Sequence, residues 1–513
     1  MSQSIVRSRT MFTKPIDRDH FEAIDDGALL QEDGVILEVG TYEDLSKRYS
    51  NIPVHGTGDS FMLPGFVNGH HHVGLTPVQL GSPDMPLELW FVTRMVTRSV
   101  DLYLDTLYSA FEMISSGITT VQHIHGWMPG TLEEVQAKSE QVLKAYHDIG
   151  MRVSYCYAVR DQNSLVYQDD AEFIASLPVE LQGPMRAYFN RTKVKLEGSL
   201  DLFHSLFDKY QERSRTKIQL APANLHWCSD KALAALSETS ERFNVPLHMH
   251  LVETAYQKEY AMRRGGTTAF DYLKQFGLHN SRLTLGHGVW LNERDIDQIA
   301  ESGVCICHNC SSNFRLRSGI APLNAFEVKQ VNTAIGLDEA GINDDRDMLQ
   351  EMRLVLRAHR IPGQEDADVP GMGQVLRMAT SGGAKTTVYG STLGTLEPGQ
   401  LADLSLIDAR SVTYPYLDEE MPLLDAIIQR AKSSAVKLVM CDGEVIYENG
   451  RFTRVDKDAA LAELHEHLKS ALSNDEVERR KLSKALMPHV RKFYKNYMDP
   501  AKHEPFYRQA SRV

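Results

Sequence analysis

The stretch LPGFVNGHHHVG, residues 63–74, carries the strongest chemical signal in the chain. The apolar run from Leu63 to Val67 reads as a buried strand, and Gly65 and Gly69 let the backbone bend or approach a neighbour closely. Three histidines follow. In an extended chain, residues two apart share a face, so His70 and His72 can hold one cation while His71 points away. Imidazoles at the end of a buried strand suit zinc, iron or nickel. The run sits inside the chain, directly behind a Pro-Gly and an apolar strand, which separates it from an expression tag or a surface tract.

Three further apolar stretches end in groups of the same kind. PLHMHLVET (246–254) offers His248, His250 and Glu253; LTLGHGVWL (283–291) offers His287; AIGLDEAGIND (334–344) offers Asp338. Three histidines and one carboxylate complete the coordination of a divalent ion and leave room for a water molecule. A cation held that way lowers the pKa of a water to around 7 and makes a nucleophile of it at neutral pH.

The elements that must bring these groups together can be read from pattern. LYLDTLYSAFEMISSG (102–117) reads as a helix stopped by Gly117, and ITTVQHIHGW (118–127) as a strand. Thr131 and Glu134 form a capping box for a helix that ends at Gly150, and Asn292 caps NERDIDQIAESG. RVSYCYAV, KIQLAP, VPLHMHLVE, RLTLGHGVWL, VCICHN and TAIGLD are further strands. Repeated strand–helix units over 62–390 predict an α/β fold, a (β/α)8 TIM-like barrel with its chemistry at the C-terminal strand ends. Both ends of the chain are β-rich, with Asp-Gly and Asn-Gly turns, and predict a small β-sandwich domain formed from both termini, residues 1–61 and 391–455. Residues 456–513 read as a helical extension, whose aromatic residues Phe493, Tyr494, Tyr497, Phe506 and Tyr507 favour packing over disorder. It either packs against a partner subunit, contributes to the pocket rim or lies solvated.

Composition bounds the function. The 513 residues carry a net charge of −13, which argues against nucleic acid as a partner. No apolar run approaches the roughly 20 residues that cross a membrane, and the N-terminal stretch has no apolar signal core. Six cysteines without a disulfide-like spacing fit a reducing, cytoplasmic setting. Cys305, Cys307 and Cys310 form C-x-C-x-x-C, read here as core thiols and not as a second metal site.

The order Pro-Gly-Phe…His-x-His, His-x-x-Glu-Thr, Gly-His-Gly, Gly-x-Asp resembles the amidohydrolase superfamily. Within it, PLELW (86–90), SGITTV (116–121), CHNCSSNFRLRSGIAP (307–322) and GTLEPGQLADLSLID (394–408) are similar to the branch of guanine and S-adenosylhomocysteine deaminases and s-triazine hydrolases, over roughly residues 25–455. The resemblance implies His70, His72, His250 and Asp338 as metal ligands, Glu253 as proton shuttle, and His287 as the group that orients water; Glu253, His287 and Asp338 would be the catalytic set. A carboxylated lysine would mark a binuclear member. The fourth strand ends in Ala-Pro with Lys217 at its start, so one divalent ion is expected, zinc by default, with iron or nickel as alternatives.

The resemblance also implies a hydrolase of a small molecule, cleaving a C–N or C–Cl bond of a nitrogen heteroaromatic ring, with deamination the commonest form. Hydrolysis of an amide, urea or carbamate is the alternative; a catalytically dead relative is a third, against which the complete set of strand ends argues. A homodimer or larger homo-oligomer is usual in the branch. Nucleoside-acting members carry a histidine where this chain has Ala223 and a carboxylate where it has Arg98-Ser99. Trp90, His123, His125, Trp127 and His226 are the candidate substrate contacts, as flat groups that stack on a ring. Glu339 either faces substrate or forms an ion pair, and Asn313 and Arg315 either approach the pocket or scaffold its loop. His71 and His248 are expected to face away from the site, in hydrogen bonds or packing.

Overall fold

The computed structural model describes residues 3–192 and 194–499; Phe506 and Tyr507 lie outside them. Parallel strands run through the middle of the chain in two sheets. Phe66–His71, Ile118–His125, Arg152–Val159 and Thr216–Ile218 are neighbours in that order, and Ala221–Pro222 continues along Arg152–Val159. Leu247–Leu251, Leu283–His287, Cys305–His308 and Thr333–Ile335 make the second sheet. Isolated parallel bridges join the two on both flanks: His71 to Asp338 on one side, Leu220 to Leu247 and Asn224 to His250 on the other. Leu247–Leu251 and Leu283–His287 are buried at every residue, as expected where helices cover one face and facing strands the other.

Helices Leu102–Ser115, Leu132–Ile149, Asp230–Phe243, Glu293–Ser302 and Met348–Ala358 alternate with the strands. The Thr131–Glu134 capping box is formed, and Gly150 closes that helix in the left-handed conformation. Asn292 caps Glu293–Ser302 through a second box with Asp295.

The β-rich ends form two sheets. Gln3–Arg7, Gly27–Glu32, Val35–Thr41 and Val54–His55 make a four-stranded one. The other has seven strands and interleaves both ends of the chain: Leu404–Asp408 pairs antiparallel with Ser60–Pro64, which pairs parallel with Thr10–Pro15. Val6, Leu29 and Ile36 of the smaller sheet share an apolar cluster with Met62, Leu406 and Met440 of the larger. Asp33-Gly34, Asp442-Gly443 and Asn449-Gly450 each have two positive φ values, the signature of the tight hairpin turn that these dipeptides favour.

Fully buried Arg152 ties this β structure to the parallel strands. Its Nε is 2.9 Å from Asp403 Oδ2 and its Nη2 is 2.6 Å from Asp442 Oδ1. Toward the C-terminus, the helix Asn474–Tyr494 lays Leu482, Leu486, Val490 and Tyr494 into a cluster that also holds Trp90, Phe91 and Trp227.

Candidate active site

The C-terminal ends of the strands converge. The Nε2 atoms of His70 and His72 are 3.0 Å apart, and each lies 3.1 Å from His250 Nε2. Ligands about 2.0–2.1 Å from one zinc in a tetrahedron sit about 3.3 Å from each other, so this triangle has the dimensions of three corners. Asp338 Oδ1 stands 3.2 Å from His72 Nε2 and 3.8 Å from His70 Nε2.

The other ring nitrogens fix the tautomers. His72 Nδ1 donates to the Ile124 carbonyl (2.6 Å) and His250 Nδ1 to the Ala223 carbonyl (2.7 Å), leaving both Nε2 lone pairs free. His70 Nδ1 donates to His248 Nε2 at 2.8 Å. Like charges crowded in a buried place cannot all be protonated: burial, then the neighbouring imidazoles, hold His70 well below the ordinary histidine range, and His250 likewise. His70 and His250, neutral with inward lone pairs, belong with an ionised carboxylate to the donor set of a divalent cation; burial alone would lower His72, but the neighbouring Asp338 holds its ring above the ordinary value, so that an ion there takes the place of a proton. Burial alone would raise Asp338, but hydrogen bonding and charge from His72, with His287, hold it ionised and below the usual range.

His248 corrects one expectation. Two residues from His250, it shares that residue's inward face and supports His70 from behind. His71 does turn away, with its ring nitrogens 3.3 Å from the Asp338 carbonyl and from Ser109 Oγ.

His287 Nε2 lies 3.6 Å from Asp338 Oδ2 and 3.7 Å from Glu253 Oε2, while its Nδ1 donates to Asn313 Oδ1 at 2.9 Å. Asn313 thus orients His287, whereas Arg315 is taken up by Asp84 and Asp344. Glu253 is almost wholly buried, and burial pushes its carboxyl up to about 7. Ser318 Oγ donates to it at 3.3 Å. The next residue, Thr254, caps Ala255–Gly265 and donates its hydroxyl to Glu88 Oε1, which also accepts from Tyr167 (2.9 Å). Glu88 of the PLELW stretch therefore braces the loop that carries Glu253.

The backbone bends sharply at these positions. Val252, His287 and Asp338 have φ values of 43°, 70° and 54°, and Trp127 has 58°. Positive φ is costly for residues other than glycine, above all β-branched Val252, and concentrates where side chains are aimed at a site.

His72, His250, Glu253, His287, Asp338 and Glu339 line a chamber of about 100 Å³, walled by Trp90, Trp127 and Trp227. His125, Trp127, Arg94 and Arg160 also line an adjoining outer chamber of about 320 Å³, to which the C-terminal helix contributes Arg479. Trp90, His125, Trp127 and Glu339 are therefore cavity residues. His123 and His226 are not: His123 is buried against Tyr146 and His125, and His226 lies behind Trp227 against Tyr167. Glu339 lies 3.5 Å from the Arg94 guanidinium. Arg94 and Arg160 are cavity residues that the sequence reading passed over, although Arg160 immediately follows the apolar strand Arg152–Val159.

A family model described as the amidohydrolase family matches residues 61–446. The chain belongs to the amidohydrolase family. Among curated relatives of this amidohydrolase, a 5-methylthioadenosine/S-adenosylhomocysteine deaminase of Thermodesulfovibrio yellowstonii is 27% identical over 448 residues, 86% of this chain and 93% of its own. A 5'-deoxyadenosine deaminase of Methanothermobacter thermautotrophicus is 27% identical over 450 residues, covering 85% of this chain and 95% of its own. Among solved structures, a triazine hydrolase from Arthrobacter aurescens superposes with a TM-score of 0.79 at 21% identity, over 92% of this chain and all of that one. An adenosine deaminase from Xanthomonas campestris with bound zinc gives 0.73 at 23% identity, over 94% and 99%. These are the names of the branch that the motifs resemble, and the amidohydrolase fold extends over nearly the whole chain.

Proposed function

We propose that this amidohydrolase is a mononuclear, zinc-dependent hydrolase that removes an amino or similar leaving group from a nitrogen heteroaromatic ring, most naturally as a deaminase. The observation that carries the reading is the triangle of imidazole nitrogens 3.0–3.1 Å apart, with Asp338 and Glu253 beside it, on the floor of an indole-walled chamber. His70, His72, His250 and Asp338 would hold the ion, which when bound supplies Lewis-acid activation of a water molecule.

The protein's own groups do the rest. Glu253 takes a proton from the attacking water and hands it to a ring nitrogen, then takes the remaining proton from the hydroxyl now on the ring carbon and passes it to the departing amine, as the carbonyl forms and the C–N bond breaks. Its raised pKa suits both directions near neutral pH. His287, fixed by Asn313, orients the water, and ionised Asp338 keeps a fixed negative charge beside it. Trp90 and Trp127 hold a flat ring and exclude solvent.

The named curated relatives are deaminases of nucleosides or their thioethers, and two observations favour a ring without ribose here. Ala223 stands where nucleoside-type members have histidine, and Arg98 is occupied by the carbonyls of Leu468 and Ser470. The same reading takes the two parallel sheets as one closed eight-stranded barrel, supported by the bridges on both flanks. It takes 1–61 with 391–455 as a composite β-sandwich domain, 62–390 as the barrel domain and 456–513 as an extension, in a cytoplasmic homo-oligomer.

Zinc-loaded protein incubated with amino-substituted purines, pterins and triazines is expected to release ammonia from at least one. Release only from amides, ureas or carbamates would favour the open-chain alternative. Failure to retain zinc at all would leave a catalytically dead relative.

A further inference from the structure

Five arginines line the two chambers: Arg94, Arg98, Arg160, Arg191 and Arg479. Four have an anionic partner. Arg94 faces Glu339 at 3.5 Å, Arg98 faces Glu476 at 3.8 Å, and Arg191 and Arg479 share Asp475 at 2.6 and 3.0 Å. Arg160 is the exception: among the described residues no carboxylate lies within ion-pair distance of it. Its Nε and Nη1 are closed to solvent and find no acceptor. Its guanidinium carbon sits 3.7 Å from the Trp227 ring centroid and 4.4 Å from that of Trp127. The indoles hold the cation in one plane and offset part of its desolvation, but a buried charge without a counter-ion still costs stability.

The position of this cation is what gives it a use. Arg160 and Gly126 both line both chambers, and a Cβ on Gly126 would stand 3.4 Å from Arg160 Nη2. Glycine there leaves the edge of the guanidinium open at the junction. A ring seated over Glu253 in the inner chamber would send a substituent past this edge. Asp105, Asp161 and Asp170 also line the outer chamber, which disfavours a dianion and leaves a singly charged group, received at Nη2, as the match.

We propose that Arg160 is a specificity-determining residue that binds a carboxylate carried on an arm of the heteroaromatic substrate. The inference rests on the heteroaromatic-hydrolase reading above. The substrate class is narrowed to ring amines bearing a carboxylate, and Arg160 supplies binding and orientation without touching the reacting carbon.

The test uses zinc-loaded full-length protein and matched pairs: 9-carboxymethyladenine, 9-carboxymethylguanine and N-carboxymethylmelamine, each against its neutral carbamoylmethyl counterpart. Binding is read by calorimetry and ammonia release in parallel. At least one carboxylate is expected to bind about 30-fold or more tighter than its amide, the span of a buried charge pair. Arg160→Gln should bring the carboxylate-to-amide affinity ratio down to about one by weakening the carboxylate far more than the amide, and Arg160→Lys should restore part of that ratio. Gly126→Ala, which crowds the guanidinium without altering its charge, should weaken the carboxylate selectively and serves if Arg160→Gln folds poorly. A panel with no carboxylate preference, or a preference that survives Arg160→Gln, overturns the proposal. An Arg160-dependent preference without ammonia release from any member upholds it and instead sinks deamination.

Discussion

At the scale of single residues, the proposed mechanism separates holding an ion from moving a proton. Glu253 stands 3.7 Å from His287 and outside the imidazole triangle, so Glu253→Gln should retain wild-type metal content while turnover falls about 10²- to 10⁴-fold. Metal analysis beside ammonia release checks it, and loss of zinc would move Glu253 into the ligand set. His248 makes a second case. It holds His70 Nδ1 at 2.8 Å and so selects the tautomer that presents Nε2 inward. His248→Phe keeps an aromatic side chain but removes that acceptor, and zinc affinity measured against a chelator should fall about 10- to 100-fold. Unchanged affinity would reduce His248 to packing.

At the scale of elements, loops and helix ends carry the positioning. Glu351, on Met348–Ala358, is buried and accepts from the Ser311 backbone N–H at 2.9 Å, which holds the start of the short helix Cys310–Arg315 that carries Asn313. Burial pushes the Glu351 carboxyl up to about 7 from its ordinary 4.5. A raised folded-state pKa means that the contribution is complete below about 4.5 and is lost as pH rises towards 7, because the unfolded chain ionises first. Relative to Glu351→Gln, the wild type should therefore lose about 2 kcal/mol between pH about 5.5 and about 8, read from denaturant midpoints at each pH. A difference that does not vary with pH would place an ionised carboxylate there. The turn chemistry at this scale was legible in advance. Asp33-Gly34 and the Thr131 capping box formed where their residue types demand it. The positive φ of Val252 had no signal, because nothing local favours it; packing around the strand end imposes it.

At the scale of the whole molecule, Arg152 joins the terminal β structure to the parallel strands through Asp403 and Asp442. Removing the cation leaves Asp403 buried and unpaired, so Arg152→Met should cost about 3–5 kcal/mol in global stability, measured by denaturant unfolding. A neutral outcome would mean that the apolar contacts alone hold the two parts together. The C-terminal helix closes the outer chamber with Arg479, which also donates to the carbonyls of Met95 and Thr97 at 2.7 and 2.9 Å. Of the readings open for that extension, a place at the pocket rim is the one the structure displays.

The sequence by itself determined which groups stand at the strand ends and converge there. His70, His72, His250, Glu253, His287 and Asp338 each close an apolar run, and two-residue spacing places ligands on one face wherever the strand forms. It also carried the alternation of strand and helix and the Asx-Gly hairpins, because these depend on contacts a few residues apart. Only the tertiary structure decided which flat groups meet a cavity. His123 and His226 satisfy the same local pattern as His125 and Trp127, yet lie behind them. It also decided that His248 supports His70 and that Arg160, among the described residues, has no carboxylate within ion-pair distance, unlike the other cavity arginines. Those outcomes depend on side chains that lie tens to hundreds of residues away in the chain, where no local spacing rule reaches.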